Sequence, residues 1–275
     1  MLLFNNNIGR FGNQMFLYAA AISYSKRNNK PICFTDLELL KYFKLSISDN
    51  YFNKLKKSYF LNILFRYKKL ERANLLDNWV DQFDALNNLN SNKEVWGYFQ
   101  GEWYFKDNVP QVLRRLQIKK TYQHKFQKIK KLLSKKPLLT IHVRRGDYKE
   151  FSLTFNGTTT TDLQIPVNYY KSVLNKFDLD KFQLVFISDC IDLVKKDFNE
   201  YDAYFSPNEF IIDFQFLTNA EICILSNSSF SWWGAYLNNN ENKKIYIPKY
   251  YCGFKIKKEF PINIIPNNWN QIDVI

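Results

Sequence analysis

The sequence predicts an α/β protein whose second half is a doubly wound parallel sheet, and two observations carry that prediction. From Leu138 onward, apolar and β-branched runs (Leu138 to Val143, Gln183 to Ile187, Ala203 to Phe205, Ile222 to Leu225, Lys244 to Ile247) alternate with helix-length segments opening at Pro166, Cys190, Glu209 and Trp232. Several of these strands empty into polar clusters, at the edge where open parallel sheets bind ligands. The length of 275 residues suits two domains, expected at 1–134 and 135–275.

Composition narrows the class. With 46% hydrophobic and 18% aromatic residues the chain can bury a large core and is not a disordered protein. No apolar run approaches the roughly 20 residues that span a bilayer. The N-terminus, Met1 to Asn7, lacks a basic segment followed by a long apolar one, so no export signal is visible and a cytoplasmic location is expected. Cys33, Cys190, Cys223 and Cys252 are scattered without zinc-site spacing and read as reduced thiols. The net charge of +13 points to anionic company: nucleic acid, an anionic lipid surface or a phosphorylated substrate.

In the first half, residues 2–4 with Ile8 read as a short strand. Gly9-Arg10-Phe11-Gly12-Asn13-Gln14 then forms a glycine turn feeding a helix from about Asn13 to Lys26, on which Phe16, Ala19, Ala20 and Ser23 keep helical spacing. A turn of this kind presents N–H groups to an anion, and a tight structural turn is the alternative reading. Pro31 to Phe34 reads as a second strand. Residues 37–92 have no assignable topology, but Lys54, Lys56, Lys57, Arg66, Lys68 and Lys69 beside Tyr59, Phe60, Phe65 and Tyr67 suit either a face for acidic lipid or a solvated helix surface. Glu94 to Phe105 is an aromatic strand and turn, read as a sugar-binding wall or as core. A helix follows at Val109 to Leu116, and another at Tyr122 to Ser134 is expected to bridge the domains.

The chemistry gathers at three strand ends. The first is His142-Val143-Arg144-Arg145-Gly146-Asp147. Only eight of the 39 basic residues are Arg, so an adjacent pair suggests bidentate recognition of phosphate or carboxylate. The second is Ser188-Asp189. The third runs from Ser226 to Ser231, where Ser228, Ser229 and Ser231 precede an apolar helix and suit a diphosphate at a helix N-terminus, or simple capping. Asp213 lies in an apolar run, which is unusual without a partner; it suits guanine's two donors, with helix capping as the alternative. Asp178-Leu179-Asp180 has the D-x-D pattern of metal-dependent sugar transferases but precedes its strand, at the wrong edge. No metal ligand set is found, so metal-free catalysis is expected, with arginine and helix dipoles stabilising a leaving diphosphate. An in-line displacement asks for a base; Asp147 is the first candidate and Glu150 the reserve, with pairing to Arg145 as the structural alternative for Asp147.

Three ordered motifs, Gly9 to Phe16, His142 to Tyr148 and Asn227 to Leu237, together resemble glycosyltransferase family 11, the α-1,2-fucosyltransferases; Asp213 to Thr218 and Gly97 to Gln100 fit the same pattern. The resemblance implies a GT-B-type fold of two Rossmann-like domains facing a central cleft, with an N-terminal acceptor side and a C-terminal donor side. It implies GDP-β-L-fucose as donor, inversion, no metal or other cofactor, and a galactoside 2-hydroxyl in a surface glycan such as O-antigen as acceptor. Carried over by residue, Arg144 would grip the β-phosphate and Arg145 the loop or a second oxygen. His142 and Asp213 would meet the guanosine and Ser229, Phe230 and Ser231, with Ser228, the diphosphate. Arg10, Gly12 and Asp189 complete the expected donor set, and Asn13 would face donor sugar and acceptor. Peripheral contact with the anionic inner-membrane surface is expected, and no nucleic-acid partner. The alternatives are another GDP-sugar, a protein hydroxyl acceptor, or a non-catalytic RNA- or glycan-binding module.

Overall fold

The computed structural model describes residues 2–5, 7, 9–35, 37–45, 71–75, 82–89, 93–155 and 157–274. The basic cluster between Lys54 and Lys69 lies outside them. The chain divides into two compact units, Met1–Lys119 and Lys120–Ile275.

The first unit is a parallel sheet in the order β2-β1-β4-β3, built from β1 (Leu2–Phe4), β2 (Ile32–Phe34), β3 (Glu71–Asn74) and β4 (Lys93–Trp96). Helix α1 (Phe11–Asn28) makes the crossover from β1 to β2 and buries Met15, Phe16, Tyr18 and the run Ala19, Ala20, Ala21. Small residues let its backbone approach the sheet, while Phe4 packs edge-on to Tyr24 at 6.3 Å. The helix begins at Phe11, earlier than expected, so Gly12 lies buried in its first turn and Gly9, at φ +72°, makes the turn alone. Short helices α2 (Gln82–Asn87) and α3 (Val109–Arg115) also belong to the unit. Of the aromatic stretch, Phe99, Tyr104 and Phe105 are core residues.

In the second unit the strands β5 (Leu138–Val143), β8 (Gln183–Ser188), β9 (Tyr204–Phe205), β10 (Ile222–Ile224), β11 (Lys244–Pro248) and β12 (Asn270–Ile272) form one sheet in the order β12-β11-β10-β5-β8-β9. Every pair in it is parallel, with β5 at the centre and buried along its whole length. Helices α5 (Val167–Leu174), α6 (Ile191–Asp197), α7 (Phe210–Thr218) and α8 (Ser229–Tyr236) link the strands. The period-2 alternation of β5 sets both faces. Leu139, Ile141 and Val143 join Tyr169, Tyr170 and Val173 of α5 and Val194 of α6 in one cluster. On the other face, the Thr140 hydroxyl donates to the Phe216 carbonyl of α7 at 3.2 Å.

Three elements differ from expectation. Helix α4 (Lys120–Lys130) packs within the second unit: Phe126 meets Phe216 edge-on at 5.1 Å and Gln215 donates to the Tyr122 carbonyl. The division therefore falls at Lys119, ahead of the expected 134/135 boundary, because α4 buries Phe126 against α7. An antiparallel hairpin, β6 (Ser152–Phe155) with β7 (Thr158–Thr161), follows the arginine loop; its threonines favour a strand but carry no apolar alternation. Likewise β12, with Asn270 and Gln271, is a polar edge strand.

Candidate active site

At the carboxyl edge of the second unit, the chain leaving β5 continues the strand's alternation, and this separates the two arginines. Arg145 follows Leu139, Ile141 and Val143 onto the α5/α6 face. It is buried, donating to the Ile165 carbonyl at 2.9 Å and to Asp197 of α6 at 3.0 Å. Arg145 thus fastens the loop from below, and its partner is Asp197, not Asp147. Arg144 turns to the edge instead. It pairs with Asp189 at 3.1 Å and with Asp147, and lies 5.0 Å over the Tyr148 ring. Its Nε is buried, and no hydrogen-bond partner for it stands among the described residues. An orphaned donor of that kind costs about 1–3 kcal/mol, which an incoming ligand oxygen would relieve.

Asp189 is the hub of this loop. Besides Arg144, it accepts the Arg145 backbone N–H at 2.9 Å. Gly146, at φ +34°, leaves room for it: a Cβ there would stand 2.3 Å from Asp189 Oδ2. Both carboxylate oxygens are therefore engaged by the loop. Glu150 is exposed just beyond, at the end of the short turn Gly146–Lys149.

His142 faces the α7/α8 side. Its Nδ1 meets Ser226 Oγ at 2.8 Å and its ring lies 5.4 Å from Phe230. Burial, with help from Arg144, pulls its pKa down to about 3, so the imidazole is neutral at physiological pH. Asp213 sits in the first turn of α7 and accepts from the Ser206 hydroxyl, closing the turn after β9 rather than capping the helix. Burial lifts this carboxyl to about 7. Because it stays protonated in the folded chain but ionises near 3.8 when unfolded, its contribution to stability falls as pH rises from about 4 to 7.

Helix α8 begins at Ser229, earlier than the expected Trp232, so the serines form its first turn. The first intrahelical bond is Trp232 N–H to Ser228 O, at 2.9 Å. The N–H groups ahead of it point out of the helix end toward the same edge as Arg144. Their side chains divide. Ser229 and Phe230 are half-buried, Ser228 is buried, and the Ser231 hydroxyl donates back to the Ser228 and Ser226 carbonyls at 3.2 and 3.4 Å. Ser231 is thus a hydroxyl spent on its own turn, since a serine inside the first turn can reach the preceding carbonyls.

Sequence reasoning passed over three residues here. The Tyr148 hydroxyl ties the arginine loop to the serine loop through the Asn227 carbonyl at 3.0 Å. Asn227 holds the Leu163 carbonyl with its amide nitrogen, while its Oδ1 is buried with no partner among the described residues. Phe210 is exposed at the start of α7, 6.4 Å from Phe230. The first two stood inside quoted motifs, but only the fold reveals that they join separate loops.

In the first unit, Gln100 Nε2 donates to Asn13 Oδ1 at 2.7 Å, fixing the amide so that its nitrogen packs over Gly9, where a Cβ would stand 2.2 Å away. Arg10 precedes α1 without a side-chain cap, and its carbonyl takes the Gln14 N–H at 3.1 Å. Arg10, Gly12 and Asn13 thus group at the carboxyl end of β1. Among the described residues, no cluster of three or more His, Cys, Asp or Glu is placed to hold a metal ion.

Two parallel α/β units, each with loops and a helix start gathered at the carboxyl ends of its strands, make a GT-B-type fold. The sequence matches glycosyl transferase family 11 over residues 3–273, and the chain belongs to that family. An α-1,2-colitosyltransferase of Escherichia coli is 29% identical over 84% of this chain and 86% of its own length. The O-antigen biosynthesis glycosyltransferase WbnK, also of Escherichia coli, is 24% identical over 89% and 93%. The fold is shared with fucosyltransferase NodZ from Bradyrhizobium, at a TM-score of 0.55 and 12% identity over 86% of this chain and 93% of that one. POFUT1, solved in complex with GDP, gives 0.56 and 11% over 89% and 96%.

Proposed function

We propose that this chain transfers L-fucose from GDP-β-L-fucose to the 2-hydroxyl of a galactoside in a surface glycan of the O-antigen type, with inversion and without a metal ion or other cofactor. The observation that carries it is Arg144, whose buried Nε lacks a partner among the described residues while Asp147 and Asp189 hold its outer nitrogens beside the start of α8. In this reading Arg144 and the first-turn N–H groups at Ser229, Phe230 and Ser231 take the diphosphate, Ser228 shapes the turn, and neutral His142 and Asp213 meet the guanosine. Arg145 and Asp189 hold the loop. Arg10 and Gly12 keep the donor contacts expected of them, and Asn13 is assigned to the acceptor hydroxyl. The acceptor oxygen attacks the anomeric carbon, the bond to phosphate breaks, and GDP leaves with the electron pair; transfer is expected to survive excess EDTA, and rescue of a chelated enzyme by Mn²⁺ or Mg²⁺ would refute it.

Support for the donor comes from family membership and from solved neighbours named as fucosyltransferases, one soaked with GDP-fucose. The relative named for colitose transfer makes GDP-colitose the second donor to try. A screen of GDP-fucose, GDP-colitose, GDP-mannose and UDP-galactose, followed by a glycan array and linkage analysis, tests the reading. Turnover of UDP-galactose alone would end it. The acceptor is expected to be carried on a lipid, which would bring the enzyme to the cytoplasmic membrane face.

Asp147 changes place in this scheme. Bonded to the arginine that grips the leaving group, it stands on the leaving-group side, whereas an in-line base belongs on the opposite face of the sugar. We assign it to holding Arg144, leaving the exposed Glu150 or the departing diphosphate to take the proton. Asp147→Asn is then expected to lower kcat/KM only a few-fold, because the pair is half exposed and Asp189 remains. A fall of roughly 10²–10⁴ in kcat with unchanged GDP affinity would return the base to Asp147.

Asp213 supplies a pH signature. Guanine's donors require the carboxylate, and with the group titrating at about 7 its ionised fraction rises about tenfold from pH 6 to pH 8. GDP affinity should rise by a similar factor across that range, and Asp213→Asn should abolish the difference from a UDP control. An unchanged profile in that variant would move base recognition elsewhere.

A further inference from the structure

The amino-terminal edge of the second unit carries a cluster that the donor reading leaves unused. Between α4 and β5, residues 131–137 form a crossing, and Leu132 within it is 85% exposed, against 52% for Leu193 and 49% for Phe151. Single exposed apolar side chains are ordinary. This one stands in a run of cations: Lys131, Lys135 and Lys136, close to it in the chain, are exposed and Lys130 is half-buried. The four lysines line a pocket of about 500 Å³, and Glu221 is the one carboxylate among the residues that line it.

An exposed apolar side chain flanked in the chain by ammonium groups is complementary to a bilayer surface. Phosphates meet the lysines while the leucine enters the region below the headgroups, and lysine stems cover apolar surface on the way. Nucleic acid fits less well. Single strands are held by aromatic side chains between the cations, and residues 131–137 contain none.

We propose that the stretch from Lys130, the last residue of α4, to Lys136 in the crossing is a docking site for an anionic phospholipid bilayer, with Leu132 inserted at the interface and Lys130, Lys131, Lys135 and Lys136 on phosphate headgroups. It gives the membrane location in the functional reading a surface, and it rests on that reading only for its purpose, since binding needs no donor. The crossing leads into the start of β5, whose carboxyl end carries His142. Six residues of strand hold that end roughly 20 Å from the headgroups, on the side where a water-soluble nucleotide sugar arrives.

Full-length protein should sediment with vesicles containing phosphatidylglycerol and remain in solution with phosphatidylcholine alone. Each lysine at an anionic surface multiplies binding about fivefold, so Lys131→Ala with Lys135→Ala should lower the partition coefficient about 25-fold. Leu132→Ser should lower it further, while melting temperature and transfer to a water-soluble acceptor stay unchanged, because all three side chains are exposed. Vesicle binding equal in wild type and variants would overturn the proposal by moving the contact to another surface. So would failure to sediment with either vesicle, and a loss of RNA binding in the variants without vesicle binding in the wild type would assign the cluster to nucleic acid. An inactive enzyme that still shows the lysine-dependent sedimentation would sink the transferase reading and leave the docking site standing.

Discussion

Arg144→Lys is expected to cut kcat by roughly 10²–10³, the loss seen when one preorganised donor is removed from a developing negative charge. Lysine keeps the charge but presents a compact point donor on a flexible stem. The guanidinium is fixed by its fork: one terminal nitrogen on Asp189, the other on Asp147, and the plane over Tyr148, so that Nε is left for the ligand. An ammonium has three N–H groups on a single nitrogen, so it cannot reach both carboxylates and the Nε position at the fork's spacing. GDP affinity should fall with kcat, because the product diphosphate uses the same donor. A Lys variant with normal turnover would remove the arginine from the diphosphate site.

Gly146→Ala is expected to cost roughly 10² in kcat/KM, although the residue touches no substrate. At φ +34° an alanine is strained, and its Cβ would fall 2.3 Å from Asp189 Oδ2. The carboxylate must move, and with it go the Arg144 pair and the anchor on the Arg145 N–H. A displacement of about 1 Å in a positioning group can cost two orders of magnitude. The sheet core lies away from the loop, so the melting temperature should drop by only a few degrees. Loss of activity through global unfolding, seen as a collapsed thermal transition, would contradict this account of the glycine.

The loop-bearing carboxyl edge of the second unit was largely legible in the sequence, because strands that bury both faces announce themselves as apolar runs and their ends follow. His142, Arg144, Asp189 and the Ser228–Ser231 turn do share the carboxyl edge of one sheet. Less legible was which side chain does what. Arg145 and Arg144 are chemically equivalent in the sequence, and only the parity of β5 sends one beneath the loop to Asp197 and the other to the edge. Ser231 could not be told from Ser229 until the helix start was fixed. The threonine-rich hairpin and the polar edge strand at Asn270 lack the alternation by which strands are read. The boundary was misjudged because the amphipathic pattern of α4 says that it packs, not on what.

The most direct test of the central claim is a crystal structure of the protein with GDP. The account predicts the diphosphate within hydrogen-bond distance of Arg144 Nε and of the backbone N–H groups at the start of α8, with the guanine on the Asp213 side. A diphosphate seated instead on the Gly9 to Asn13 turn, with Arg144 still bound only to Asp147 and Asp189, would contradict it.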